Sequence, residues 1–165
     1  MKKQLAFLVI FLVLVMTIAA FAIGQPQSEK PAVEIQEVQK AAEKFVNAFN
    51  NLEWDRFQSC WAVDATIFQP FADSPRRISG REEIIAWFKN RFEDLKKQKP
   101  KPPYLNIQPK DLEVKLLGSA ALVTFHLGGE TTQSRRTLVF QKQGGEWLIV
   151  HLHASTLTLP TGEKK

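Results

Sequence analysis

Apolar residues recur at helical spacing in three stretches before residue 100. The first stretch predicts an amphipathic helix that ends at Asn50-Asn51, because its apolar positions are three and four residues apart. A second, short helix is predicted where Trp54, Phe57 and Trp61 repeat the same spacing. The apolar stripe of the first helix consists of Ile35, Val38, Ala42, Phe45, Val46 and Phe49.

A third helix is predicted after a capping signal. Ser79 and Glu82 have the spacing of a capping box, in which a hydroxyl and a carboxylate satisfy the free N–H groups of a helix start. The prolines in 99–103 end this helix, because proline cannot continue a helical hydrogen-bond ladder. Its apolar face consists of Ile84, Ile85, Phe88, Phe92 and Leu95.

The rest of the chain alternates as strands do. Gly144-Gly145 predicts a hairpin turn between the last two strands. Helices followed by a run of strands indicate an α+β protein with an antiparallel sheet, not a βαβ order. The predicted strands are 65–71, 76–78, 112–116, 120–127, 135–142 and 147–157.

The N-terminus reads as a targeting segment. Lys2 and Lys3 precede an uncharged apolar run to Ile23, and small residues at signal-peptidase spacing allow cleavage before Ile23 or Gln25. The prediction is an exported protein, periplasmic or secreted, and an uncleaved membrane anchor is the alternative because the run is long enough to span a bilayer. The predicted boundaries are 1–24 for the signal peptide, 25–33 for a linker, 34–158 for the domain and 159–165 for a polar tail.

Charge and cysteine content add little chemistry. The formal net charge of the whole chain is +5, and two of those charges lie in the targeting segment, which is too weak a bias to indicate nucleic acid as a partner. Cys60 is the only cysteine, so no intramolecular disulfide can form. Its apolar surroundings favour a buried inert thiol over a nucleophile.

Several segments in order resemble one family. The stretch 145–155 (GEWLIVHLHAS) resembles the last hairpin of SnoaL-like, nuclear-transport-factor-two-like domains, including the association domain of calcium/calmodulin-dependent protein kinase two. The stretches 64–68, 80–84 and 118–124 are similar to that family's first strand, third-helix start and mid-sheet strand. The resemblance implies a cone-shaped curved antiparallel sheet packed on three N-terminal helices, with an internal pocket. It leaves activity open, since this fold carries isomerases, dehydratases, cyclases and binding proteins.

Strand alternation predicts which residues line that pocket. On the last strand, Leu148, Val150, Leu152 and Ala154 are expected to point inward, and Trp147, Ile149, His151 and His153 outward. The kinase association domain carries pocket arginines where Leu138 and Ala154 stand here, so its anion-binding feature is not expected. The predicted lining consists of Trp61, Phe68, Phe88, Phe92, Val123, Phe125, Leu127, Leu138, Phe140, Leu152 and Ala154.

Few polar residues are candidates for chemistry. Asp64 is the candidate catalytic carboxylate, with capping or turn formation as the alternative, and Arg136 is expected near the pocket mouth. His126, His151 and His153 can share one face of the sheet, but no carboxylate partner is evident, so no metal or cofactor is predicted.

Two functions therefore stay open at this stage. One is a homodimer that pairs through its outer sheet face and binds a small apolar molecule. The other is an isomerase, dehydratase or polyketide-cyclase-like enzyme acting in the same pocket. The outer face expected to pair carries Leu122, Thr124, Thr137, Val139, Trp147, Ile149, His151 and His153.

Overall fold

The structure is a computed structural model that describes residues 29–71, 74, 76–129 and 131–160. The described residues from Val33 onward belong to one compact unit. The predicted signal peptide, 1–24, and residues 161–165 of the predicted tail lie outside the described residues. Within the described part of the chain, no helix is both long enough and apolar enough to cross a bilayer.

Three helices form where the apolar spacing predicts them. Helix α1 (Glu29–Asn51) begins two residues before Pro31, inside the predicted linker; proline is tolerated there because first-turn N–H groups lack helical acceptors. Helix α2 (Trp54–Gln58) is shorter than its apolar pattern, since Trp61 already belongs to the first strand. Helix α3 (Arg81–Gln98) ends immediately before the proline-containing segment.

The start of α3 differs from the predicted capping box. Ser79 lies in a strand, and its hydroxyl accepts a hydrogen bond from Nε of Arg77 at 3.2 Å. Gly80 occupies the N-cap position with φ +92°, and no side chain caps the helix. Glycine adopts this backbone angle without the steric penalty of a Cβ atom. The chain thus turns directly from strand to helix, which leaves no room for the expected hydroxyl cap.

Six strands form one curved, open sheet. The chain-order labels β1 to β6 correspond to a spatial order β2-β1-β6-β5-β4-β3. Neighbouring strands are antiparallel except β1 and β6, which run parallel, so the predicted antiparallel sheet has one parallel pairing. The α+β class with helices packed on a curved sheet is confirmed. The strands are β1 (Trp61–Phe68), β2 (Ile78–Ser79), β3 (Lys110–Leu117), β4 (Ala120–Gly128), β5 (Thr132–Gln143) and β6 (Glu146–Thr158).

The β5–β6 hairpin forms at the predicted turn. Gly144 and Gly145 have φ values of +60° and +90°, and Gln143 pairs with Glu146 across the turn. A two-residue turn with both central φ angles positive matches the right-handed twist of the flanking strands. The twelve residue pairs along this hairpin make it the longest pairing in the sheet.

A β-bulge in β6 overturns part of the predicted alternation. Phe140 pairs with Ile149 but Val139 pairs with His151, so Val150 is an extra residue on β6. Before the bulge, Trp147 and Ile149 point to the inner face of the sheet, meaning the face covered by the helices, and both are buried. Leu148 and Val150, which were expected inside, are partly exposed and belong to the opposite, outer face. After the bulge the predicted inward positions hold, with Leu152 and Ala154 buried.

The core joins the helices to the inner face of the sheet. Phe57 of α2 is fully buried and lies at the centre of a group of aromatic rings. Trp147 of β6 donates a hydrogen bond through Nε1 to Glu37 of α1 at 3.1 Å, which fixes the first helix against the last strand. The rings within 6 Å of Phe57, centroid to centroid, are those of Phe45, Phe49, Trp61, Phe88 and Phe92.

Candidate ligand-binding cavity

A cavity of about 490 Å³ lies between the helices and the inner face of the sheet. This volume falls within the range of small-molecule sites in proteins. The C-terminal part of α1, the length of α3 and the central strands of the sheet all contribute to it. The lining residues are Phe45, Val46, Phe49, Gln69, Phe71, Trp87, Phe88, Arg91, Phe92, Asp94, Leu95, Gln98, Leu105, Ile107, Phe125, Leu127, Arg136 and Leu152.

Five of the predicted lining residues border this cavity. Phe88 and Phe92 approach from α3, and Phe125 and Leu127 from β4. Strand alternation on β4 is regular, so the two-residue period places both β4 side chains correctly. Leu152 is the fifth, and Arg136, which was expected near the pocket mouth, also lines the cavity.

Other predicted lining residues are buried in the core instead. Their side chains pack into the core and do not border the cavity. Strand alternation identifies the residues on the inward face but does not separate those that border a cavity from those packed in the core. It therefore selects both kinds of residue as lining. The residues concerned are Trp61, Val123, Leu138, Phe140 and Ala154, all at most 4% exposed.

Phe68 and Asp64 lie outside the cavity, which corrects two sequence predictions. Phe68 pairs with His153 in the β1–β6 register and contacts that imidazole at 5.8 Å between ring centroids, so it belongs to the outer face. Asp64 is exposed within an irregular part of β1, where the register shifts between Trp61 and Thr66. Asp64 therefore does not line the cavity, and its catalytic role stays a prediction.

Arg136 is the charged group most enclosed by the cavity. It extends from β5, and its Nη1 donates to the carbonyl oxygens of Arg135 at 2.9 Å and Ser155 at 3.4 Å. Among the described residues, no carboxylate pairs with it. Burial lowers the pKa of Arg136 from its usual range, since the charged form loses hydration, but a guanidinium stays protonated at neutral pH.

The mouth of the cavity is marked by its exposed lining residues. Phe71 and Gln98 are exposed there, as is Asp94, whose carboxylate pairs with Lys97 at 3.1 Å. The guanidinium carbon of Arg91 lies 4.2 Å from the Trp87 ring centroid and also contacts Phe71. Cation–π contacts of this kind hold an arginine along an aromatic surface. The mouth is thus more polar than the interior.

Part of the lining was missed because it depends on contacts far apart in sequence. Leu105 and Ile107 precede β3, and α1 holds this segment through Asn50. The Asn50 side chain donates to the Ile107 carbonyl at 3.0 Å and accepts from the Ile107 N–H at 2.7 Å. Its backbone carbonyl also accepts from the N–H groups of Tyr104 and Leu105. The only sequence signal was a polar residue at the end of an apolar stripe, which reads equally well as a helix terminator.

The histidines do not form a metal site. Nδ1 of His151 lies 2.7 Å from Oγ1 of Thr66. His126 pairs with Arg135, four residues along β5 from Val139, the partner of His151, so the two histidines are offset by about 13 Å along the strands and also lie two strands apart. In the described part of the chain, no group of three or more His, Cys, Asp or Glu residues could hold a metal ion.

Cys60 lies in the core, away from the cavity. It is 3% exposed, and its thiol donates to the carbonyl of Arg56 at 3.2 Å. Burial raises the pKa of Cys60 to about 11, because the thiolate loses hydration. A thiol protonated at neutral pH and closed to solvent is a poor nucleophile, in keeping with the buried thiol favoured from its sequence context.

Several solved structures of other proteins have a similar architecture. A proposed dehydratase of the NTF2-like family from Streptomyces avermitilis is similar, with a TM-score of 0.65 and 20% identity over 78% of this chain and 99% of that one. The association domain of C. elegans CaMKII has a TM-score of 0.57 and 18% identity, covering 78% of this chain and 99% of that one. A proposed ketosteroid isomerase from Parabacteroides distasonis has a TM-score of 0.53 and 17% identity, covering 75% and 86%. At these identities the likeness shows the fold alone.

The family assignment rests on the sequence itself. A family model described as the SnoaL-like domain matches residues 38–160. This match begins in α1 and ends after β6, so it includes every helix and strand that surrounds the cavity. The chain therefore belongs to the SnoaL-like domain family.

Proposed function

We propose that the cavity binds a small, largely apolar molecule. The observation that carries this proposal is the lining, since 13 of its 18 residues are apolar and seven of those are Phe or Trp. Removing apolar surface from water stabilises a complex by about 25 cal/mol per Å², and aromatic rings supply much of that surface in a preformed site. A cavity of about 490 Å³ has room for about 16 non-hydrogen atoms, if each needs roughly the 30 Å³ of a liquid water molecule.

The polar part of the lining favours binding over acid–base catalysis. Among the described lining residues, Asp94 is the only carboxylate, and there is no His, Tyr or Cys. Asp94 sits at the mouth, where its side chain is exposed and paired with Lys97. Arg136 can orient a ligand or polarise a carbonyl, but a guanidinium does not accept a proton at neutral pH. An isomerase, dehydratase or cyclase would need a proton-transfer group beside its substrate, whereas the carboxylate of this lining, Asp94, is exposed at the mouth and paired with Lys97.

A fluorescent probe tests the binding proposal. N-phenyl-1-naphthylamine is neutral, largely apolar and of about the size of the cavity, and its emission rises in apolar surroundings. We expect saturable binding to the wild type and at least tenfold weaker binding to Leu127→Trp, because the larger ring fills the cavity from β4. Leu122→Trp is the matched control, since it makes the same change on the outer face of the same strand.

The outcomes of this titration are decisive. Equal probe affinity in the two tryptophan variants would contradict the cavity as the binding site. Phe125→Asp should abolish binding or folding, because it places a charge against the buried lining. Asp64→Asn should leave binding unchanged, since the structure places that carboxylate outside the cavity. Catalytic turnover of a bound substrate that Asp64→Asn eliminates would favour the enzymatic alternative.

We further propose that two copies of the chain pair through the outer face of the sheet. Two rows of paired residues support this: Leu122, Val139 and His151 form one, and Thr124, Thr137 and His153 the other. The sequence predicted Trp147 and Ile149 on this outer face, but both are buried on the inner face. Leu148 and Val150 occupy the outer face instead. A surface of mixed apolar and hydrogen-bonding side chains suits a two-fold contact. The likeness to a domain named for association adds support.

Sedimentation equilibrium tests the pairing. We expect a dimer at micromolar concentration for the wild type and a monomer for Val139→Glu, because two buried carboxylates would face each other across the two-fold axis. Val63→Glu is the matched control, since Val63 is 70% exposed in the irregular part of β1. A monomeric wild type, or a dimer that survives Val139→Glu, would contradict the proposal.

Export remains a proposal that rests on the leader sequence. Lys2 and Lys3, the apolar run and the small residues before Gln25 support cleavage on the way out of the cytoplasm. N-terminal sequencing of protein from its native compartment should begin at Ile23 or Gln25. Soluble cytoplasmic protein that retains Met1 would contradict it.

A further inference from the structure

Two hydrogen-bond donors on the inner face lack an acceptor suited to them. Arg136 lines the cavity with a guanidinium that contacts two backbone carbonyls but, among the described residues, no carboxylate. Gln69 lines the same cavity, and its buried Nε2 has no hydrogen-bond partner among the described residues. Buried donors are costly when they stay unpaired. Both donors therefore point to an acceptor that a ligand brings.

The sheet places these donors in one row. Arg136 pairs with Ala154 across β5 and β6, and Phe68 pairs with His153 across β1 and β6. Gln69 follows Phe68, so continuing the parallel register sets it beside Ala154 on the side away from Arg136. Two strand spacings, or about 10 Å, separate the Arg136 and Gln69 backbones. Ala154 between them has only a methyl group, so no larger side chain of the sheet separates the two donors.

The chemistry of the row selects an anion. A guanidinium presents paired N–H groups that match the two oxygens of a carboxylate, and the amide N–H of glutamine can donate to the same group. We propose that the ligand is an apolar monocarboxylic acid whose carboxylate lies between Arg136 and Gln69, the two donors that line the cavity. This inference rests on the proposed function, because the apolar body of the acid occupies the cavity already described.

The surrounding residues set the orientation of the acid. Phe88 and Phe92 face the sheet from α3, where they contact the apolar body. At the mouth the Asp94 carboxylate is paired with Lys97 and the Arg91 guanidinium lies on the Trp87 ring, whereas Arg136 lines the cavity without a carboxylate partner among the described residues and attracts one that a ligand brings. The acid therefore enters with its carboxylate first. A chain of about ten carbons, decanoate for example, is within the size that the cavity accepts.

Displacement of N-phenyl-1-naphthylamine by two matched competitors tests this inference. Decanoate and 1-decanol share one hydrocarbon chain and differ in their head groups. At pH 8, we expect decanoate to displace the probe from the wild type at a concentration about tenfold or more below that of 1-decanol. Arg136→Met should remove this preference while 1-decanol still displaces the probe, and Arg136→Lys should keep part of it.

Two further variants keep the test informative. Gln69→Leu should weaken displacement of the probe by decanoate severalfold and leave displacement by 1-decanol unchanged or stronger. This result does not depend on whether the arginine variants fold. Arg135→Met is the matched control, because Arg135 is the exposed neighbour of Arg136 and pairs with His126 on the outer face. It should retain the wild-type preference for decanoate.

The possible results separate the two proposals. If the probe binds and both competitors displace it equally from the wild type, the cavity binds apolar molecules but the assignment of a carboxylate is wrong. If Arg136→Met keeps the wild-type preference, Arg136 does not hold the head group and the inference also fails. If the probe does not bind, or neither competitor displaces it, the proposed function itself fails.

Discussion

Replacing Phe57 tests whether the aromatic cluster holds the helices to the sheet. Phe57 lies on α2, a helix of five residues that is too short to be stable by itself. Its ring is 0% exposed, and its centroid lies 4.9 Å from that of Phe88 and 5.1 Å from that of Phe92. Phe57 is the buried residue of α2, so the loss of its ring should appear directly in the free energy of unfolding.

The expected magnitudes follow from the packing. Phe57→Ala should lower the free energy of unfolding by about 3–5 kcal/mol, through lost burial and an unfilled cavity. Such a loss is a large part of the roughly 5–15 kcal/mol typical of a domain, so Phe57→Leu is the better measurement. Leucine keeps most of the apolar volume but loses the edge-to-face ring contacts, each worth about 0.5–1.5 kcal/mol. We expect Phe57→Leu to cost about 1–3 kcal/mol.

Urea titration followed by circular dichroism measures this cost. Phe68→Leu is the control, because Phe68 is 38% exposed on the outer face and should lose less than about 0.5 kcal/mol. The slope of the free energy against urea concentration should stay constant, since the exposed surface changes little. A loss for Phe57→Leu no larger than that for Phe68→Leu would refute the packing argument.

Two further predictions concern titratable groups. Cys60 should react with a thiol reagent at pH 8 only after unfolding in urea, because burial raises its pKa to about 11; rapid reaction of the native protein would contradict this. Burial, then the charges of His153 and Arg77, lower the pKa of His151 in the folded state. The unfolded state then binds the proton more tightly, so stability is complete above the unfolded pKa of about 6.5 and falls as the pH falls through the folded pKa. Urea titrations at several pH values between 7.5 and 4.5 should show that the free energy of unfolding falls less for His151→Asn than for the wild type. Equal falls in the two proteins would contradict the role of His151.

The sequence predicts most of the elements because local patterns determine them. The spacing of apolar residues in α1 and α3 reports the face that each helix buries, and Gly144-Gly145 reports the hairpin turn. The regular alternation of β4 identifies Phe125 as an inward residue. The capping prediction at Ser79 failed because tertiary packing placed that residue in a strand.

The candidate site is less predictable because its parts meet only through pairing between distant segments. Gln69 follows β1 and reaches the row of Arg136 only because β1 runs parallel to β6. No local pattern marks its amide as facing a cavity. Asp64 is the opposite example, since its sequence context suggests a catalytic carboxylate. In the structure it lies in the irregular part of β1 and is exposed to solvent.

The bulge at Val150 lets the last strand lose one residue without a change in the faces of its other residues, which a regular strand cannot do. Without Val150, Ile149 and His151 would follow each other as inward and outward neighbours opposite Phe140 and Val139, the pairs they already form. Loss of Val150 therefore leaves every other residue of β6 on its present face, whereas loss of one residue elsewhere in β6 reverses the faces for the rest of the strand. What changes is curvature, because a bulge bends its strand and increases the local twist. Within a family of such domains, a single insertion or deletion here can widen or narrow the cavity and keep the chemistry of its walls.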